Sequence, residues 1–101
     1  MSARRVEVHP DALIEADAAL TWYAERSTRA PGAFLAEIQQ AIASIAEAPR
    51  RWPILEGDCR KFSLFRFPYL IVYREKTADL IQVVAVAHGR RKPGYWRDRI
   101  G

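Results

Sequence analysis

The feature that most constrains the fold is the stretch of residues 67–99, FPYLIVYREKTADLIQVVAVAHGRRKPGYWRDR. It contains two runs rich in β-branched and aromatic residues, 69–76 and 80–88, and only Thr77-Ala78-Asp79 separates them. Such a short connection predicts an antiparallel pair, because parallel strands need a crossover. A dense basic and aromatic cluster follows the second run: His88, Arg90, Arg91, Lys92, Tyr95, Trp96, Arg97 and Arg99.

Two further segments have the alternating pattern of a half-buried strand. In residues 4–9, Val6 and Val8 would share one side, and in residues 60–65, Phe62 and Leu64 would do so. The connections between the last three strand segments are short, so we expect an antiparallel meander. Residues 49–58, PRRWPILEGD, are predicted to be a connector that Trp52 and one of Ile54 or Leu55 attach to the core.

Two helices are predicted, over residues 10–26 and 31–48, with the turn at 27–32 giving a helical hairpin. His9-Pro10-Asp11 is typical of a helix start, and Pro49 ends the second helix. The first helix is expected to bury Leu13, Ala16, Leu20 and Tyr23. Glu15, Asp17 and Glu25 are expected to face outward. For Trp22 two positions stay open, the edge of the core and an exposed patch. The second is expected to bury Phe34, Leu35, Ile38, Ala41, Ile42 and Ile45.

These elements predict an α+β fold of two layers in the order β-α-α-β-β-β, with a short basic C-terminal tail. The helical hairpin should cover one face of a mainly antiparallel sheet, and the other face should carry polar and basic groups. A chain of 101 residues with 50% hydrophobic residues fits one domain, residues 1–101.

Composition argues against several classes of function. One cysteine, Cys59, allows no internal disulfide, which fits a reducing compartment, and a half-buried thiol near a strand start is its expected role. One Cys and two His make a structural metal site improbable, the scattered glycines form no phosphate loop, and we predict no cofactor. We find no apolar run long enough to span a bilayer and no signal region, so a cytoplasmic protein is expected.

The net charge of +4 is unevenly placed along the chain. Residues 1–49 carry four Lys or Arg and seven Asp or Glu, whereas residues 50–101 carry twelve and five. The second half therefore has a net charge of +7, which favours a nucleic acid or an acidic protein segment as partner. A solvated basic surface without a partner is the alternative.

The basic and aromatic cluster could act on RNA. Arginines hold phosphates, aromatic rings stack on unpaired bases, and a histidine can shuttle a proton. Such a set could promote attack of a ribose 2′-hydroxyl on the neighbouring phosphate. The alternative is structural: His88 would close a hydrogen bond at the strand end, and Tyr95 and Trp96 would pack the tail onto the sheet.

The ordered set of segments VHPDALIEADAALTWYAE, FLAEIQQAIASIAEAPRRWP, FPYLIVYRE and IQVVAVAHGRRKPGYW resembles the RelE/ParE superfamily of bacterial type II toxins, the plasmid stabilisation proteins. The resemblance covers nearly all of the chain. It implies a growth-inhibiting toxin that a cognate antitoxin neutralises, in a toxin–antitoxin hetero-oligomer. RelE-like members cleave mRNA in the ribosome, and ParE-like members inhibit DNA gyrase without a nuclease site.

The resemblance also implies roles for individual residues. RelE-type enzymes use basic residues on the second strand, an arginine in the third, another arginine after the last strand and a tail tyrosine. Lys61 matches the first kind, but Ser63 stands at a second basic position and Leu70 at the third-strand arginine. Arg90 or Arg91 matches the later arginine and Tyr95 the tail tyrosine. With His88 added as a proton shuttle, the predicted catalytic set is Lys61, His88, Arg90, Arg91 and Tyr95. The predicted nucleic-acid or target-binding set is Arg66, Arg74, Trp96 and Arg97. A member that only binds its antitoxin is the remaining alternative.

Overall fold

The computed structural model describes residues 3–100. The elements in chain order are β1 (Arg5–Val8), α1 (Pro10–Ala24), α2 (Ala30–Glu47), β2 (Ile54–Glu56), β3 (Cys59–Ser63), β4 (Tyr69–Thr77), β5 (Leu80–His88) and a 3₁₀ turn (Arg97–Arg99). They form one sheet with the strand order β1-β5-β4-β3-β2, in which β1 runs parallel to β5 and the other pairs are antiparallel. The predicted α+β class and the meander are confirmed.

Helix α1 begins as the sequence predicts. The imidazole Nδ1 of His9 accepts a hydrogen bond from the backbone N–H of Asp11 (3.0 Å), and Pro10 occupies the first helical turn. At α2 the N-cap residue, Arg29, makes no side-chain capping bond, but Ser27 Oγ in the preceding turn accepts from the backbone N–H groups of Arg29 and Ala30. Local hydrogen bonds therefore fix both helix starts.

The main core lies between the two helices and one face of the sheet. Phe34, Ile45, Ile71, Tyr73 and Ile81 are at most 1% exposed within it. At one end of this core the rings of Tyr23, Phe34, Phe67 and Tyr69 pack with centroids 5.1 to 6.4 Å apart. This cluster joins the hairpin to the start of β4.

The connector contains a strand that the sequence reading missed. Three residues, 54–56, pair with β3 as an exposed edge strand, too short for an alternating pattern to reveal. Trp52 packs on Phe62 with ring centroids 4.8 Å apart, as expected of a connector residue attached to the core. Ile54 and Leu55 are 61% and 39% exposed, so the expectation that one of them would attach it was wrong.

The orientation predicted for α1 was partly wrong. Ala12 and Ala19 are buried against the sheet, while Leu13 is 56% exposed and Glu15 turns inward. The prediction placed Leu13 on the buried face of α1 because its side chain is large and apolar. The residues that face the sheet are instead small, because they allow close contact between helix and sheet. On α2 the predicted stripe is correct except for Leu35, which is 43% exposed.

The opposite face of the sheet is also apolar, contrary to the prediction of a polar and basic face. Cys59, Val72, Val84 and Ala85 form a second buried cluster there, and Trp96 of the tail covers it. A bulge in β5 leaves Val84 without a partner in β4, since Val72 pairs with Ala85 and Tyr73 with Val83. The tail is therefore part of the fold.

Candidate functional site

The candidate site is a cavity of about 220 Å³ on this second face of the sheet. Strands β3, β4 and β5 contribute Lys61, Leu70 and Ala87 to its floor. The segment after β5 forms its wall through His88, Gly89, Arg91, Lys92, Pro93, Gly94, Tyr95 and Trp96. The fold thus brings together four of the five predicted catalytic residues, namely Lys61, His88, Arg91 and Tyr95.

Arg90 is exposed and does not line this cavity. Its backbone N–H donates to His88 Nδ1 (3.1 Å), so this imidazole nitrogen is an acceptor, and the ring packs edge-on against Tyr69 with centroids 5.1 Å apart. The hydrogen bond at the strand end corresponds to the structural alternative given above for His88.

The Tyr95 side chain is engaged within the protein. Its hydroxyl donates to Glu15 Oε2 (2.6 Å), and the guanidinium of Arg91 lies over its ring at 3.8 Å. Burial, together with the hydrogen bond to the Glu15 carboxylate, raises the pKa of Tyr95 to about 12. The phenol therefore stays protonated at neutral pH and directs its proton to Glu15 rather than to the cavity.

Glu15 is the charged residue at this site that the sequence prediction placed wrongly, since it was expected to face outward. The Arg99 guanidinium forms a bidentate contact with the Glu15 carboxylate: Nη1 donates to Oε1 and Nη2 donates to Oε2, both at 2.9 Å. The same carboxylate accepts the backbone N–H of Val86 (3.0 Å), while Arg99 Nη1 also donates to Val84 O (3.1 Å). Val84 and Val86 lie on β5 beyond Val83, the last residue that pairs with β1. Glu15 and Arg99 therefore provide hydrogen-bond partners for backbone groups that no neighbouring strand reaches.

The electrostatics of Glu15 follow from these contacts. Burial raises its pKa, but the hydrogen bonds from Arg99, Tyr95 and Val86 outweigh this, so the pKa is lowered from its ordinary value. The ionised carboxylate joins α1, β5 and the tail in one network. Its position three residues after Ala12 and four before Ala19 was the available sequence signal, because that spacing places it on the buried stripe.

The predicted binding residues divide between surface and interior. Arg66, Arg74 and Arg97 form ion pairs with Glu37, Asp58 and Glu56 respectively. Trp96 is only 3% exposed, so its assignment as a stacking residue was wrong and the packing alternative is the one observed. Exposed cations that join no ion pair within residues 3–100 include Arg90, Arg91 and Lys92 just after β5, as well as Arg5, Arg29 and Arg51 elsewhere on the surface.

Cys59 is fully buried, and burial, with the adjacent Asp58 carboxylate, raises its pKa to about 11. Its thiol is therefore protonated at neutral pH. No cluster of three metal-ligating side chains occurs within residues 3–100. In the same part of the chain no helix is long and apolar enough to cross a bilayer.

A second depression, the α1 groove, lies on the helix side of the same sheet end and has a volume of about 430 Å³. It is lined mainly by aromatic and small side chains, with Glu15 and Arg91 at its polar part: Glu15, Ala18, Ala19, Trp22, Tyr23, Pro68, Tyr69, Val86, His88 and Arg91. Trp22, left open by the sequence, is 49% exposed here and carries the Arg26 guanidinium on its ring at 3.8 Å.

Comparison with known proteins gives a consistent result. The family described as "ParE toxin of type II toxin-antitoxin system, parDE" matches residues 6–93, which is most of the chain. Among solved structures, the chromosomal ParDE toxin–antitoxin system from P. aeruginosa shares the fold with a TM-score of 0.70 and 16% sequence identity. That match covers 85% of this chain and 96% of the other. No curated protein matched the sequence.

Proposed function

Because the chain belongs to the ParE toxin family of type II toxin–antitoxin systems, we propose that it inhibits growth by binding DNA gyrase and that a cognate antitoxin neutralises it. The proposed place of action is the cytoplasm, where the chromosome and its topoisomerases are found. In this proposal the toxin binds and blocks its target and does not cleave RNA.

The observation that carries this proposal is the engagement of Tyr95 by Glu15. A nuclease of the kind considered above needs a free proton donor and positive charge at the reacting phosphate. Here the Tyr95 hydroxyl donates to a carboxylate, and Leu70 stands on the cavity floor where a cation is expected in RelE-type enzymes. Both features support binding without cleavage.

The proposed antitoxin contact is the α1 groove. Its lining is mostly apolar, and it includes the half-exposed Trp22 and the partly buried Tyr23, aromatic residues of the kind enriched at interfaces. Arg91 and His88 at the groove would favour an acidic residue on the incoming segment. An amphipathic segment of the antitoxin, a short helix or extended strand, is the occupant that fits this chemistry.

Ribosome-dependent mRNA cleavage is the second candidate, since Lys61, His88 and Arg91 do line one cavity. One experiment separates the two candidates. The toxin gene is induced alone, mRNA ends are mapped, and purified protein is assayed for inhibition of gyrase supercoiling. We expect intact mRNA, DNA damage and loss of supercoiling.

The variants Tyr95→Phe and Lys61→Met sharpen this experiment. Both should retain toxicity if the cavity performs no chemistry, provided that denaturation confirms a folded protein. New mRNA cuts that disappear in either variant would establish cleavage instead. Protein that binds the neighbouring gene product but leaves growth, mRNA and gyrase unchanged would indicate a member that only binds its antitoxin.

A further inference from the structure

The most exposed large apolar side chain in the described part of the molecule is that of Phe65. It is 95% exposed, compared with 66% for Ile14, the next highest. Its neighbour Leu64 is 7% exposed, and Phe67 packs in the core cluster. The ring of Phe65 therefore contributes little to folding, because it removes almost no apolar area from water.

The loop that carries Phe65 is held in place. The Glu37 carboxylate on α2 accepts the backbone N–H groups of Phe65 and Arg66, and Arg66 Nε lies 3.6 Å from the same carboxylate. On the far side of the loop, Gly89 N donates to Pro68 O (2.8 Å). The ring is thus presented on a fixed backbone, which lowers the entropy lost when a partner binds.

The same contact places a cationic turn beside this loop. Residues 89–92 follow β5, and the strand pairing of Tyr69 with His88 puts that turn at the same end of the sheet. Arg90 and Lys92 are exposed, and neither joins an ion pair within residues 3–100. The sequence has no acidic residue between Leu80 and Arg97.

We call this surface the Phe65 end and define it by Phe65, Arg66, Arg90, Arg91 and Lys92. We propose that the Phe65 end is where the toxin contacts its protein target, with Phe65 as the apolar anchor. The fitting partner surface has an apolar pocket with an acidic rim, since a buried aromatic ringed by charged residues is the usual form of a binding hot spot. This inference rests on the proposed function.

A protein partner fits this surface better than a single strand of nucleic acid. Strand binding uses several rings on which successive bases stack. At this end of the molecule Trp96 is buried, and the rings of Tyr95 and Trp22 carry the guanidinium groups of Arg91 and Arg26, whereas the Phe65 ring is 95% exposed. One anchor with surrounding cations is sufficient for a protein pocket.

The position also suggests how an antitoxin blocks the toxin. Pro68, His88 and Arg91 line the α1 groove, and they lie next to the Phe65 loop and the cationic turn. A segment bound in the groove would therefore obstruct access to Phe65 without contacting its ring. This predicts that target binding and antitoxin binding can be separated by mutation.

The test is Phe65→Ser, with Ile14→Ser as the matched control at another exposed apolar side chain. Each purified variant is measured for stability in urea, affinity for the neighbouring antitoxin, inhibition of gyrase supercoiling and growth arrest on induction. Phe65→Ser should keep its stability and bind the antitoxin within about twofold, but lose at least about tenfold in potency, equal to about 1.4 kcal/mol. Ile14→Ser should keep full potency.

The outcomes separate this inference from the proposed function. Unchanged potency of Phe65→Ser would overturn the inference and leave gyrase inhibition standing. If the unmodified toxin arrests growth without inhibiting gyrase, the gyrase proposal fails, yet loss of growth arrest in Phe65→Ser still supports the anchor. An equal loss of antitoxin affinity, or Phe65-dependent binding of a thymidine oligonucleotide in anisotropy measurements, would reassign the ring and overturn the inference.

Discussion

The C-terminal tail and the Phe65 end are two basic regions of this molecule, and the aromatic residues Trp96 and Phe65 that they carry differ greatly in burial. Trp96 lies in the densest cationic segment but is 3% exposed, and it closes the second core over Cys59 and Val84. Phe65 lies in an ordinary loop and is 95% exposed. The tail has become part of the fold, whereas the Phe65 end has been left open.

The contrast extends to the charged groups. In the tail, Arg97 pairs with Glu56 and Arg99 with Glu15, so these guanidinium groups are engaged internally. At the Phe65 end, Arg90 and Lys92 are exposed. All four cations belong to the same dense basic segment of the sequence, so charge density does not separate the engaged groups from the exposed ones, because the internal acidic partners come from distant elements.

The largest expected effect tests the difference in burial between Trp96 and Phe65. Trp96→Ala should lower the free energy of unfolding by about 3–5 kcal/mol, since it removes a buried indole and leaves a cavity on the sheet. Phe65→Ala should change it by less than about 0.5 kcal/mol, as expected of an exposed site. Urea denaturation of both variants measures the pair, and similar losses would show that the loop ring also packs in the fold.

A smaller effect is expected at Glu15. Glu15→Gln should lower the free energy of unfolding by about 2–3 kcal/mol, because the largely buried Arg99 guanidinium loses its bidentate counter-charge and keeps only the Asp11 carboxylate, 3.6 Å from Nε. The side chains of Glu15 and Arg99 are 14% and 12% exposed, so some solvent remains to offset the loss. Glu25→Gln, at a side chain 66% exposed, is the control and should be nearly neutral. Equal stability of the two variants would contradict the role assigned to the network.

The smallest expected effect is on pH dependence. The pKa of Glu15 is lowered in the folded protein, so its contribution to stability is present above its unfolded value of 4.5 and is lost as the pH falls through the folded value. Stability of the unmodified protein should therefore decline below about pH 4.5 more steeply than that of Glu15→Gln. Parallel acid limbs in thermal unfolding at a series of pH values would exclude Glu15 as the titrating group.

The prediction from sequence was most accurate where local signals agree. Runs rich in β-branched and aromatic residues predicted β4 and β5, and His9-Pro10 predicted the start of α1. The prediction was wrong at Leu13, a large apolar side chain that is exposed. It also missed the strand at residues 54–56, which is too short to have an alternating hydrophobic pattern. The cavity around Lys61, His88, Arg91 and Tyr95 follows from strand pairing, which the meander already implied.

Periodicity, capping and the order of segments along the chain were enough to predict both helices, every strand except β2, and membership in a toxin family. Which cations and rings are free to bind depends on how the layers pack. Glu15 contacts Tyr95 and Arg99 across 80 and 84 positions of sequence, and Glu37 on a distant helix holds the loop of Phe65. Such contacts depend on how the layers pack, which no local pattern encodes.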